Sequence, residues 1–199
     1  MSYFDVATNM GGNDAQVALI NDLARDLGFR QVTPFSGLVH AEELTRKVPN
    51  NFFLFASDGE LGPIKSQVQN IRNSTRPRVR YSPLICFIEV PLPMLISQCI
   101  QIGFDDILTL PWDPKQMMPR LRRQLNTQIT YYETSNYFGP DRRRFGKKRS
   151  TPARIYRESQ GYRRIDIKRD TAHGVQILGD TTVGKISSRH SHVSWGATA

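Results

Sequence analysis

The sequence predicts an α/β fold, a central parallel sheet clothed by helices on both faces, followed by a largely irregular basic tail. Three observations lead there. Over residues 4–134, short apolar runs of strand length alternate with longer stretches of helical period. Two of those runs, NFFLFAS (51–57) and PLICFIEV (83–90), are uninterrupted, as strands buried on both faces of a parallel sheet must be. Charge divides the chain as well. Residues 1–134 hold 13 Lys+Arg against 13 Asp+Glu, whereas residues 135–199 hold 14 against 5, so the C-terminal part carries the whole excess of +9. The expected organisation is a folded domain over 1–134 and a basic, mostly disordered extension over 135–199.

The elements follow in order. FDVAT (4–8) is a short first strand. Asn13 or Asp14 can cap a helix whose apolar positions Val17, Leu19, Ile20, Leu23 and Leu27 recur at helical spacing, and Gly28 ends it. QVTPF is the second strand, and the segment Val39–Val48 a helix with Glu42, Glu43 and Arg46 on its wet side. NFFLFAS is the third strand. Ile64–Arg72 reads as a helix, STRPRVR (74–80) as a basic loop, PLICFIEV as the fourth strand and Pro93–Gly103 as another helix. DDILTL (105–110) is the fifth strand. A long final helix is expected over Pro114–Tyr132, from Met117, Met118, Leu121, Leu125 and Ile129, with Pro119 kinking it or delaying its start. Five strands alternating with five helices require parallel pairing through right-handed crossovers, a doubly wound sheet of the flavodoxin-like class.

Composition narrows the function classes. The 199 residues suffice for one core plus an appendage, and 39% hydrophobic residues is low for a chain that is folded throughout. No apolar run approaches the roughly 20 residues of a membrane span, and MSYFDVATNMGG lacks a secretory pattern. Cys86 and Cys99 each sit in an apolar run and read as buried free thiols. The expected compartment is the cytoplasm.

The segment IGFDDILTLPWDPKQMMPRL (102–121) resembles the end of bacterial response-regulator receiver domains. In that family a Gly-containing turn leads to an Asp-Asp pair, an apolar strand, a Lys-Pro-Phe element and the last helix. Here the matching features are Gly103, Asp105-Asp106, Ile107–Leu110 and Pro111-Trp112-Asp113. DLGF (26–29) is similar to the exit of the family's first helix, and the resemblance spans about residues 4–132. It implies two-component signalling, in which a phosphoryl group passes from a histidine kinase to an aspartate. That chemistry needs a carboxylate nucleophile, an acidic pair holding Mg²⁺, a Ser or Thr, and a Lys, because charge on the transferring group must be neutralised.

Most of those parts are missing. Leu110 stands in the place of the lysine, Ile88 in the place of the hydroxyl, and TNMGGN where the acidic pair should be. Asp14, the only carboxylate near, is explained as a helix cap. The nucleophile position falls on Ala56 when counted from DLGF and on Asp58 when counted back from the fourth strand. Ala56 is preferred because NFFLF then fills the strand without a bulge, which leaves Asp58 as a vestigial phosphoacceptor candidate. The expectation is a pseudo-receiver, non-enzymatic and without cofactor. It keeps the family's usual partner face on the fourth helix, fifth strand and fifth helix, here Leu95, Gln98, Ile102, Asp106 and Lys115.

Beyond the turn at Gly139-Pro140, Arg142, Arg143, Arg144, Lys147, Lys148 and Arg149 place six cations within eight residues, and Phe138 and Phe145 flank the arginine triplet. Forked guanidinium groups suit phosphates and aromatic planes suit bases. The ligands that qualify are a cyclic dinucleotide such as cyclic di-GMP, a nucleic acid, or an acidic protein surface. The resemblance lends weight to the first, although no PilZ-type Asp-x-Ser-x-x-Gly element is present. The same charges would also serve a plain solvated tail. GVQILGD (174–180) suggests one short strand. His190 and His192 have no further ligands beside them, so no metal site is expected.

Overall fold

The computed structural model describes residues 4–109, 111–141 and 161–186. Strands β1 (Phe4–Asn9), β2 (Phe29–Pro34), β3 (Asn51–Ser57), β4 (Leu84–Ile88) and β5 (Asp106–Thr109) form one sheet in the order β2-β1-β3-β4-β5, every pair parallel. This is the flavodoxin-like arrangement the alternation predicts. Side chains of β3 alternate between two cores. Phe52, Leu54 and Ala56 pack with Ile20 and Leu23 of α1 (Asp14–Asp26), with Leu27 just after it, and with Leu121 of α6 (Pro114–Arg122). Phe53 and Phe55 pack on the opposite face with Ala41 of α2 (Leu38–Lys47), Val68 and Ile71 of α3 (Gly62–Arg72) and Cys99 of α5 (Pro93–Ile102).

Local chemistry sets the helix ends. Asn13 caps α1 by accepting from the Gln16 amide at 2.9 Å, while the Gln16 side chain accepts from Gly12 at 2.9 Å. Gly103 closes α5 at φ 105, in the left-handed region. A methyl group there would also meet the Phe138 carbonyl oxygen at 2.6 Å. The STRPRVR segment, expected to be a loop, contains a four-residue helix, α4 (Pro77–Arg80). Cys86 and Cys99 are both free and buried.

The C-terminal third differs from expectation. The final helix stops at Arg122, and Gln128–Glu133 is a strand, β6. Residues Leu121, Leu125 and Ile129 are spaced by four, a spacing that satisfies a strand period of two as well as a helix, and QITYYE is rich in β-branched and aromatic residues. Residues 161–184, expected to be irregular apart from one short strand, form β8 (Gly161–Asp170) and β9 (Gly174–Gly184). Together with β7 (Phe138–Pro140) these build a separate antiparallel sheet in the order β7-β6-β8-β9. The division drawn after Thr134 therefore falls in the turn between β6 and β7. Asp141 follows β7 and Gly161 opens β8, so the arginine-rich segment connects two strands of one sheet instead of trailing from the fold.

One face of the second sheet, Ile129, Tyr131, Ile165 and Ile167, packs on Tyr81. At the same contact Gly139 lies so close that a Cβ there would be 2.8 Å from the Gly103 Cα. Two glycines let β7 touch the end of α5.

Candidate functional site

The C-terminal ends of β3 and β4 and the first turns of α1 surround a cavity of about 280 Å³. Buried Ala56 and Phe87 and the more exposed Asn13, Gln16, Asp58 and Glu89 line it. Both alternatives for the nucleophile thus reach the same place, Ala56 from the strand and Asp58 from the loop after it. One Asp58 carboxylate oxygen accepts from the Glu60 amide at 3.5 Å, and the Ser57 hydroxyl accepts from Gly59 at 3.1 Å.

A Mg²⁺ ion of the receiver kind requires converging carboxylate oxygens. The end of β1 supplies an amide in their place, and that amide is committed. Asn9 donates to the Val17 carbonyl and the Asn21 side chain and accepts from Gly11, all at 2.9 Å, tying the strand end to α1. Met10 is buried in the core. Ile88, fully buried, belongs to the hydrophobic cluster on the other face of the sheet. The donor set does not fit the family's metal centre. Among the described residues no group of three or more His, Cys, Asp or Glu is placed to hold a metal ion. Leu110 lies outside the described residues.

The expected partner face is only partly a face. Gln98 and Lys115 are exposed and Ile102 is half-buried, but Leu95 is 6% exposed and part of the core. Asp106 is buried too, gripped by Arg120, whose Nε is 3.1 Å from one carboxylate oxygen and whose Nη2 contacts the other. Leu95 and Gln98, three apart, lie on the same side of the helix, yet packing buries the first and leaves the second exposed at the margin. Apolar exposure concentrates instead just before, at Val90, Leu92 and Met94, on the approach to α5 and in its first turn.

The tail residues named for ligand binding, Arg142, Arg143, Arg144, Phe145, Lys147, Lys148 and Arg149, lie outside the described residues, as do His190 and His192. Phe138 is half-buried, with the Arg80 guanidinium 4.2 Å from its ring centroid and Tyr81 and Tyr131 at its edges. A cation of the chain itself already covers the stacking surface expected for a ligand.

Between the two sheets is a buried polar centre that the sequence did not reveal. Asp105 accepts from Arg72 at 2.6 Å and from the Leu84 amide at 2.9 Å on one oxygen, and from Arg169 at 2.7 Å and the Tyr131 hydroxyl on the other. Arg169 also donates to the Tyr81 carbonyl at 2.7 Å and to the Gln124 side chain at 3.0 Å. Burial alone would raise the Asp105 carboxyl, but the adjoining Arg169 and Arg72 outweigh it and hold that carboxyl well below the usual carboxylate range. Burial pushes the Tyr131 hydroxyl up, so it stays a proton donor. The first aspartate of the Asp-Asp pair was a visible motif. Its partner Arg169 was hidden, because a cation stands where the alternation Ile165, Ile167 calls for an apolar side chain.

The Gln98 face leads into a second, wider concavity of about 1260 Å³ between α3, α5 and the turn joining β6 to β7. Its walls are polar, and Arg72 of the buried centre reaches it.

No family model matches this chain, and no curated protein matches it. Solved structures do. The receiver domain of a sensor histidine kinase from Pseudomonas aeruginosa PAO1, described with magnesium coordinated in its active-site cleft, is 21% identical. The match covers 61% of this chain and 96% of that one, at a TM-score of 0.43. A putative pilus assembly-related protein from Burkholderia pseudomallei is 12% identical, with 61% and 88% covered and a TM-score of 0.45. A CheY-like protein from Pseudomonas aeruginosa PAO1 is 14% identical, with 61% and 98% covered and a TM-score of 0.44.

Proposed function

We propose that this chain is a receiver-like signalling module that works without aspartyl phosphorylation and acts by docking a protein partner. The observation that carries the reading is the state of the cavity at the sheet end. Asn9, at the end of β1, is spent on α1, Ile88 faces the core, and among the described residues the carboxylates lining the cavity are Asp58 and Glu89, which follow neighbouring strands. A phosphoryl group arriving there would meet neither a metal set nor a hydroxyl at the end of β4, and two carboxylates would repel it. Docking is supported by the exposed trio Val90, Leu92 and Met94 next to Gln98, since clustered apolar exposure marks contact surfaces. The arginine-rich connection over 142–149 is proposed as a second contact, to an acidic surface, to cyclic di-GMP or to nucleic acid.

The test is chemical. Incubating the full chain with acetyl phosphate, or with beryllofluoride and Mg²⁺, should leave its mass and melting temperature unchanged. A stable adduct on Asp58 would overturn the proposal.

A further inference from the structure

The Arg72 guanidinium has five N–H donors, and four are committed. Nη1 donates to the carbonyls of Arg80 at 2.7 Å and Ser82 at 3.0 Å, and Nη2 to Gly103 at 3.2 Å and Asp105 at 2.6 Å. The fifth, on Nε, is buried and has no acceptor among the described residues, in a side chain only 2% exposed. Arg80, whose carbonyl Arg72 holds, also has a buried Nε–H with no acceptor among the described residues. Buried donors of charged groups are almost always satisfied, so the orphan of Arg72, which lines the groove, calls for an acceptor from outside the chain.

Charge points the same way. Around this spot four arginines, Arg72, Arg80, Arg163 and Arg169, are linked to three carboxylates, Asp105, Glu133 and Asp180. Glu133, which lines the wide groove, is held by both Arg80 and Arg163 and offers no free negative charge. One positive charge is left over, and Lys65 on α3 adds another at the groove wall. Carboxamides complete the lining, with Gln69 from α3, Gln98 and Gln101 from α5 and Asn136 from the β6–β7 turn. Such side chains both donate and accept, and so read a ligand's polar edge without needing its charge.

We infer that the groove between α3, α5 and the β6–β7 turn binds a small anionic ligand whose phosphate or carboxylate group offsets the surplus arginine charge. The rest of the ligand lies along the wall of glutamine and asparagine amides. At about 1260 Å³ the groove holds far more than a bare ion. This site is distinct from the cavity at the strand ends and goes beyond the signalling role proposed above.

Inorganic phosphate and citrate serve as probes on the full chain, by calorimetric titration and by side-chain amide resonances. Both anions should bind saturably and raise the melting temperature by a few degrees. The amide signals of Gln69, Gln98 and Gln101 should move. The surface variants Lys65→Glu and Gln98→Glu should keep the melting temperature of the unliganded protein and weaken binding at least tenfold. Asp58→Ala should bind as the parent does, which separates this outcome from any result at the strand-end cavity. Absence of saturable binding would overturn the inference. So would Lys65→Glu binding undiminished, or resonance changes confined to residues 142–149.

Discussion

Asp105 illustrates how much one side chain can decide. It is fully enclosed, it receives four hydrogen bonds, and two of its donors are arginines from parts of the chain 33 and 64 residues away. Removing one member of such a buried set strands the others in a medium that solvates charge poorly, at a cost of about 3–5 kcal/mol. Arg169→Met should therefore lose about that much in urea unfolding, far more than a change at exposed Arg25. The acid limb of stability gives a second check. A carboxyl held low in the folded state contributes stability that is complete above its unfolded value near ~4 and is lost as pH falls toward the folded value. Stability of the parent should fall steeply below about pH 4, and Asp105→Asn should be less stable at neutral pH yet show a flatter acid slope.

At the scale of elements, the meeting of α5 with β7 depends on two residues without side chains. Gly103→Ala would put a methyl group against the Phe138 carbonyl and force an L-residue to φ 105, a conformation that alone costs roughly 1–2 kcal/mol. Thermal unfolding of Gly103→Ala should show a loss at least that large, whereas Gly62→Ala, with open space around it, should be nearly neutral. The parallel sheet was legible in the sequence because its signals are local. Uninterrupted apolar runs, an Asn cap and a terminal glycine each act within a few residues. The second sheet was not, because Leu121, Leu125 and Ile129 fit a helical period as well as a strand period, and its buried row is interrupted by Arg169. The cavity at the strand ends was recognisable from Ala56 and Asp58, but the burial of Leu95 and Asp106 depends on packing that periodicity does not resolve.

For the whole molecule, the two sheets are expected to stand or fall together. The sequence suggests that a chain ending near Glu133 folds alone, yet β6 at that end pairs with β8, and Tyr131 and Asp105 both depend on Arg169. A truncation after Glu133 should unfold at a much lower denaturant concentration than the full chain, with a broadened transition in circular dichroism. If it instead unfolds as sharply and as late as the parent, the antiparallel sheet is an accessory. The same dependence has a consequence for biosynthesis. At 5–20 residues per second a ribosome takes roughly 3–13 s to travel from Asp105 to Arg169. Throughout that interval the nascent parallel sheet holds a carboxylate and an arginine whose remaining partner has not yet been made. Its closing step cannot come before Arg169 has been made, and the newborn chain must remain soluble until then.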